Sequence, residues 1–261
     1  MTLRLNKFYL IATLALIPQL GFGIETDSAK GIDTIVGGKY RTRYQLPTAG
    51  DKLLDNYGNG HDSLYGLRNT RAVLNGVYYR GGANNYYNKH KKRSNSNPLP
   101  KEGLENLCKE GFTRAVYLYA KNYNTAKKQT RCRTYDNVEN TLEYVQISPL
   151  SYRPEDLDLL HSQIFEHVRD PRRGPMYAHC WNGWHASGYV AATTLRQFCG
   201  FTAEQAVAYW DQNTDGFNTE PGFETIRGMI RSFTVNPSMQ LTSAEKAALC
   251  PAPDSLAYQP R

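Results

Sequence analysis

Between residues 178 and 188 the chain reads Ala178-His179-Cys180-Trp181-Asn182-Gly183-Trp184-His185-Ala186-Ser187-Gly188. A cysteine flanked by histidine, glycine and serine at this spacing has the makings of nucleophilic chemistry. Gly174 to His179 reads as a strand running straight into Cys180, and Ser187 to Phe198 reads as a buried helix. A loop that joins a strand end to a helix N-terminus points several backbone N–H groups inward, and the helix dipole adds partial positive charge there. Such a loop is an anion site, and the same N–H groups stabilise a thiolate, the reactive form of cysteine. Gly183 supplies the backbone freedom that a tight cradle needs. Ser187, at the helix start, can cap the helix or hydrogen-bond the sulfur. Trp181 and Trp184 either wall the cradle with flat apolar surface, as a sugar or aromatic ligand needs, or pack beneath it as core. His185 has two readings as well, catalytic group or structural hydrogen-bonder.

The cysteine count singles out the same thiol. The 261 residues hold five cysteines, an odd number. Met1 to Lys7 is a short basic stretch, Phe8 to Leu20 an apolar run, and Gly21-Phe22-Gly23 a small-x-small pattern, which together read as an export signal over residues 1–23. The apolar run is too short for a transmembrane anchor, which needs about 20 helical residues. A periplasmic or secreted location is oxidising, so cysteines there pair. With Cys180 left over, Cys108, Cys132, Cys199 and Cys250 have three possible connectivities. Locality favours Cys108 with Cys132 and Cys199 with Cys250.

Without Arg4 and Lys7 of the signal the formal charge falls from +7 to +5, a mild bias. The only dense basic run, Lys89-His90-Lys91-Lys92-Arg93, has the composition of a solvated loop, so no nucleic-acid partner is expected. His61, His90 and His161 lack metal-ligand spacing, so neither a metal nor another cofactor is expected.

The elements around Cys180 follow from pattern. Residues 24–70 are polar with no sustained period and read as an irregular N-terminal extension. Gly76 to Gly82 looks like a short strand closed by glycines. Leu104, Leu107 and Cys108 share the face of a short helix that stops at Gly111, and Ala115 to Tyr119 is an apolar run of strand length. Lys121 to Asp136 reads as a basic loop. Leu142 to Ile147 alternates as a half-buried strand does, ended by Pro149. Arg153 to Val168 is predicted helical from Leu157, Leu160, Ile164 and Val168, with Pro154-Glu155-Asp156 suited to a first turn. Thr202 to Trp210, Phe223 to Phe233 and Ser243 to Leu249 complete the helices. Strands alternating with helices imply an α/β sheet, with ligands expected outside the carboxyl ends of the strands.

His179-Cys180-x-x-Gly183-x-x-Ala186-Ser187-Gly188 is similar to the signature of the protein tyrosine phosphatase superfamily, His-Cys-x-x-Gly-x-x-Arg-Ser/Thr-Gly. Ala186 stands where the family has arginine. Val77 to Ala83, Gly103 to Tyr119 and Tyr144 to Pro149 also resemble, in order and spacing, the early elements of the dual-specificity branch. The likeness covers roughly residues 71–235, leaving 236–261 as a tail held to that domain. It implies a phosphatase-like central sheet flanked by helices, with the active-site loop between a strand and a helix.

In that frame Cys180 attacks phosphorus, His179 helps set the thiolate, and Ser187 assists breakdown of a phosphocysteine. The loop from Trp181 through Asn182, Gly183, Trp184 and Ala186 to Gly188 would hold the phosphate oxygens. The implied partner is a phosphorylated or otherwise anionic small molecule, glycan, lipid headgroup or protein. The family's upstream aspartate also has no counterpart, since Ile147 to Tyr152 holds no carboxylate. Three readings follow. The chain is a diverged phosphatase in which His185, Arg80, Arg153 or Arg227 takes over charge stabilisation and Asp156, Asp211 or Asp215 is the general acid. Alternatively it is a pseudophosphatase that binds an anion without turnover. In the third, Cys180 does other thiol chemistry, such as acyl transfer or redox.

Overall fold

A computed structural model of the chain describes residues 44, 50–83, 97–151, 153–170 and 172–252. The export signal expected at 1–23 and the basic run at 89–93 lie outside these residues. Among the described residues no helix is long and apolar enough to cross a membrane.

The centre is a six-stranded mixed sheet. Its strands are β1 (Leu67–Leu74), β2 (Tyr78–Ala83), β3 (Arg114–Tyr117), β4 (Gln129–Arg133), β5 (Glu139–Gln146) and β6 (Met176–Cys180), in the order β1-β2-β6-β3-β5-β4. The inner four run parallel, and β1 and β4 close the edges antiparallel. The helices are α1 (Lys101–Lys109), α2 (Pro154–Arg169), α3 (Ala186–Cys199), α4 (Ala203–Gln212), α5 (Phe223–Ser232) and α6 (Ser243–Leu249). This is the α/β arrangement expected from the alternation, with the Cys180 loop between β6 and α3.

Side chains on β6 alternate between two cores, as a strand covered on both faces requires. Met176, Ala178 and Cys180 belong to the core shared with α2, α3 and α4, whereas Tyr177 belongs to the core shared with α1 and β1. Gly200, in the left-handed region at φ +73°, terminates α3, and Thr202 with Gln205 forms a capping box that starts α4. The two cysteine pairs sit at disulfide distance, Cys108 with Cys132 and Cys199 with Cys250, and Cys180 is the free, buried thiol.

Two stretches differ from expectation. The sheet begins at Leu67, inside the segment read as irregular. Before it Leu53, Leu54 and Leu64 are buried, and the backbone N–H groups of Leu53 and Thr70 bond the Thr70 and Leu54 carbonyls. A strand buried along its whole length carries no polar/apolar alternation, and Arg68, Asn69, Thr70 and Arg71 hid the apolar signal further. Likewise Gln129–Arg133 within the expected loop is edge strand β4, held by backbone pairing to β5 while its side chains stay largely exposed.

Candidate anion-binding loop

Parallel pairing of β2 with β6 sets Gly82 opposite Cys180, and the loop beyond Cys180 folds back over β2. Close approach requires glycine on both sides. A Cβ on Gly82 would lie 2.6 Å from the Asn182 carbonyl carbon, and one on Gly183 2.7 Å from the Gly82 nitrogen. Gly183 also has φ +78°, where a side chain is strained. The glycines read in sequence as a strand ending therefore make room for the loop.

Three successive loop carbonyls are held from this side. The Trp181 carbonyl accepts from the Ala83 N–H at 2.9 Å. Asn69 Nδ2 donates to the Asn182 and Gly183 carbonyls, both at 3.3 Å, and Arg80 Nη1 donates to the Gly183 carbonyl at 2.6 Å. In a trans peptide the carbonyl and the next N–H point to opposite sides. Pinning these carbonyls to β1 and β2 therefore turns the N–H groups of Asn182, Gly183 and Trp184 the other way. The Ala186, Ser187 and Gly188 N–H groups open α3, where a helix has no internal acceptors for them. Among the described residues none of these six N–H groups meets an acceptor.

Cys180 is 3% exposed, and its Sγ donates to Ser187 Oγ at 3.4 Å. His179 is fully buried, with Nδ1 3.1 Å from the Cys180 carbonyl and Nε2 2.7 Å from the Tyr144 hydroxyl. Because a carbonyl only accepts, Nδ1 carries the proton and Nε2 accepts from Tyr144. Burial pushes the His179 pKa down to about 3, so the ring is neutral and its task is to orient the backbone at Cys180. Ala186 occupies the first position of α3, buried beside Cys180 in the core.

The two tryptophans separate. Trp181 is 38% exposed at the mouth of the loop, while Trp184 is 7% exposed and stacked on Phe217, ring centroids 3.9 Å apart. His185 holds the N-cap position of α3 without a side-chain cap bond, and its Nε2 lies 2.6 Å from the Phe217 carbonyl, to which it donates.

The carboxylates are engaged too. Asp156 Oδ2 accepts from the Ser148 N–H at 2.8 Å and fixes the turn after β5. Asp211 is gripped by Arg227 at 2.7 Å and by Asn218 at 2.7 Å. Asp215 accepts from Lys52 at 2.6 Å and from Trp184 Nε1 at 3.0 Å, with Arg71 at 3.6 Å. Burial alone would raise the Asp215 pKa, but Lys52, Arg71 and Trp184 together hold it below the usual carboxylate range. Arg153 is exposed beside Asp156, and Arg227 lies over Trp210. Of the candidate arginines, the structure brings Arg80 into hydrogen-bond contact with the loop. Sequence reasoning missed Asn69, whose only signal was a polar residue in an otherwise unpatterned stretch.

Comparison with solved structures finds similarity to the core catalytic domain of the PP-IP phosphatase SIW14 from S. cerevisiae. Identity is 12% over 64% of this chain and 86% of that one, with a TM-score of 0.40. Similarity is also found to P. aeruginosa TpbA, at 14% identity over 68% and 90% of the two chains with a TM-score of 0.39. A third is a putative phosphatase (DUF442) from Shewanella putrefaciens, at 12% identity over 67% and 99% with a TM-score of 0.40. No protein-family model matches the chain, and no curated protein matches it.

Proposed function

We propose that the protein binds a phosphorylated ligand in the amide cradle of residues 182–188, with Cys180 as the nucleophile for slow phosphoryl transfer. The observation that supports it is the pinning of the Trp181, Asn182 and Gly183 carbonyls to β1 and β2, which leaves a run of N–H donors facing away from the scaffold without protein acceptors. A phosphoryl group brings three oxygens and negative charge to such a run, next to the start of α3. The Cys180 sulfur attacks phosphorus, the bond to the leaving oxygen breaks, and water then cleaves the phosphocysteine to inorganic phosphate.

Two features make turnover slow. Ala186 gives no charged fork for the phosphate oxygens. Asp156, Asp211 and Asp215 are each held by protein donors, so the leaving oxygen departs without a carboxylic acid to protonate it. Aryl phosphates, whose leaving groups need no proton, are therefore hydrolysed, whereas alkyl phosphates bind without turnover.

The ligand is a phosphorylated small molecule, glycan, lipid headgroup or protein. We place the protein in the periplasm or outside the cell, a reading supported by the two cysteine pairs at disulfide distance and the export pattern of residues 1–23.

The test measures iodoacetamide labelling of Cys180 with and without inorganic phosphate, together with hydrolysis of an aryl phosphate. Phosphate is expected to slow labelling, and Cys180→Ser is expected to abolish hydrolysis. Labelling that phosphate leaves unchanged would overturn the anion site. Hydrolysis that persists in Cys180→Ser would remove the thiol from the chemistry.

A further inference from the structure

Arg80 is 0% exposed, every hydrogen-bond acceptor of its guanidinium is neutral, and the cations Arg71 and Lys52 lie within electrostatic reach of it. Nε donates to the Tyr209 hydroxyl at 3.1 Å, Nη1 to the Gly183 carbonyl at 2.6 Å and to Ser187 Oγ at 3.5 Å, and Nη2 to the Asn213 carbonyl at 3.4 Å. Among the described residues no carboxylate forms an ion pair with it. The contrast is Arg71, on the neighbouring strand and equally buried, which has Asp215 at 3.6 Å. An arginine stays protonated in a protein, and a buried cation is retained only where a negative charge or a full set of hydrogen bonds compensates it. Here four of the five N–H donors find acceptors, and no negative charge compensates the cation.

The missing negative charge has one place to be. Ser187 Oγ lies between Arg80 Nη1 and Cys180 Sγ, at 3.5 and 3.4 Å. With the thiol protonated, Ser187 Oγ accepts from both sides. Once the thiol loses its proton, the Ser187 hydroxyl turns to donate to sulfur while Arg80 goes on donating to Ser187 oxygen. The chain Arg80, Ser187, Cys180 then runs from cation to anion through one hydroxyl. Nearby Tyr78, Tyr119 and Tyr177 interact electrostatically with Cys180, and burial pushes all three hydroxyls further from ionisation, so they bring no competing charge at neutral pH.

We infer that Arg80 supplies, from behind the loop and through Ser187, the positive charge that the chain lacks at Ala186, with the Cys180 thiolate and the bound phosphoryl group as its counter-charges. Arg80 is thus a positioning residue. It holds the Gly183 carbonyl and stands one hydroxyl away from the Cys180 sulfur, while Nη1 is committed to Gly183 and Ser187. This rests on the phosphate reading above, and explains how a loop without the signature arginine keeps a reactive sulfur.

The experiment compares wild type, Arg80→Lys, Arg80→Met and Ser187→Ala for iodoacetamide labelling rate against pH and for protection by inorganic phosphate. Thermal unfolding identifies the folded variants. Arg80→Met is expected to label at least fivefold more slowly at pH 6.5 yet at an unchanged rate at pH 9.5, and to need about tenfold more phosphate for protection. Arg80→Lys should recover most of both, because it keeps the charge. Ser187→Ala breaks the relay while leaving the bond from Arg80 to Gly183, so it should slow labelling at pH 6.5 alone. A folded Arg80→Met within twofold of wild type in both measurements overturns the inference. Should Arg80→Met not fold, Ser187→Ala indistinguishable from wild type at pH 6.5 overturns it instead. Failure of phosphate to protect wild type itself is a different result, which strikes the phosphate reading.

Discussion

In the proposed reaction, turnover hinges on Ala186. It occupies the first position of α3, buried in the same core as Cys180. A preorganised charged donor at a phosphoryl centre is worth on the order of a hundredfold in rate. Ala186→Arg is therefore expected to raise kcat for an aryl phosphate by about two orders of magnitude. A folded variant that binds phosphate but gains no rate would remove Cys180 from phosphoryl transfer. The cysteine, the serine and the glycine of this motif were legible in the sequence because their types alone specify chemistry. What His179 and His185 do was not legible, since a ring nitrogen is defined by its partner. One meets the Cys180 carbonyl and the other the Phe217 carbonyl, contacts made by folding.

At the scale of elements, the loop between β6 and α3 is shaped by what stands on either side. The turn after α4 braces it from one flank, where Asp215 holds Trp184 and Phe217 stacks on the same ring. Asp215→Asn leaves Lys52 and the buried Arg71 without their carboxylate. Discounted for the partial exposure of the pair, the expected loss is about 1–3 kcal/mol in stability, read from urea unfolding. Phosphate affinity should fall with it, and an unchanged midpoint would show that the brace carries no energy. On the other flank Gly183→Ala would push a methyl into the β2 backbone from a left-handed position. It is expected to cost about 1 kcal/mol or more and to abolish phosphate protection of Cys180, with the far-ultraviolet circular dichroism preserved. The helices at 101–109, 154–169 and 203–212 were readable from spacing and caps. β1 was not, because a strand buried on both faces with four polar residues carries no period to read.

For the molecule as a whole, three buried histidines set the response to acid. Burial lowers His161 and His179 to about 3 and His167 to about 4, against 6.5 in the unfolded chain. Below pH 6.5 the unfolded state takes up protons that the folded state refuses, so stability is full above that pH and is lost as pH falls toward 4. Each histidine contributes a slope of up to about 1.4 kcal/mol per pH unit in that window. Thermal scans should show Tm falling steadily between pH 6.5 and 4, and a flat profile would mean that these rings find protons when folded. The cysteine pair Cys199 and Cys250 spans 51 residues and ties α6 to the end of α3. Loop-closure entropy gives such a bridge roughly 4 kcal/mol, so Cys250→Ser is expected to lower Tm markedly. Alkylation in denaturant without reductant should add one label per chain, and five would contradict the pairing.

The sequence by itself determined the α/β alternation, the strand, loop and helix at Cys180, the unpaired thiol and the absence of an arginine at position 186. Each is a property of residue type, order or spacing, and each is local. Only the tertiary structure decided what surrounds the loop. Gly82 and Arg80 come to it from β2, Asn69 from β1, and Asp215 from beyond α4, none of them within 30 positions of Cys180. Their contacts depend on parallel strand register and on which face each side chain takes, and neither is written in any single segment. The same register buries Arg80 against neutral partners. A charge that looked like one of many in the sequence thereby comes to lie behind the loop, one hydroxyl from the Cys180 sulfur.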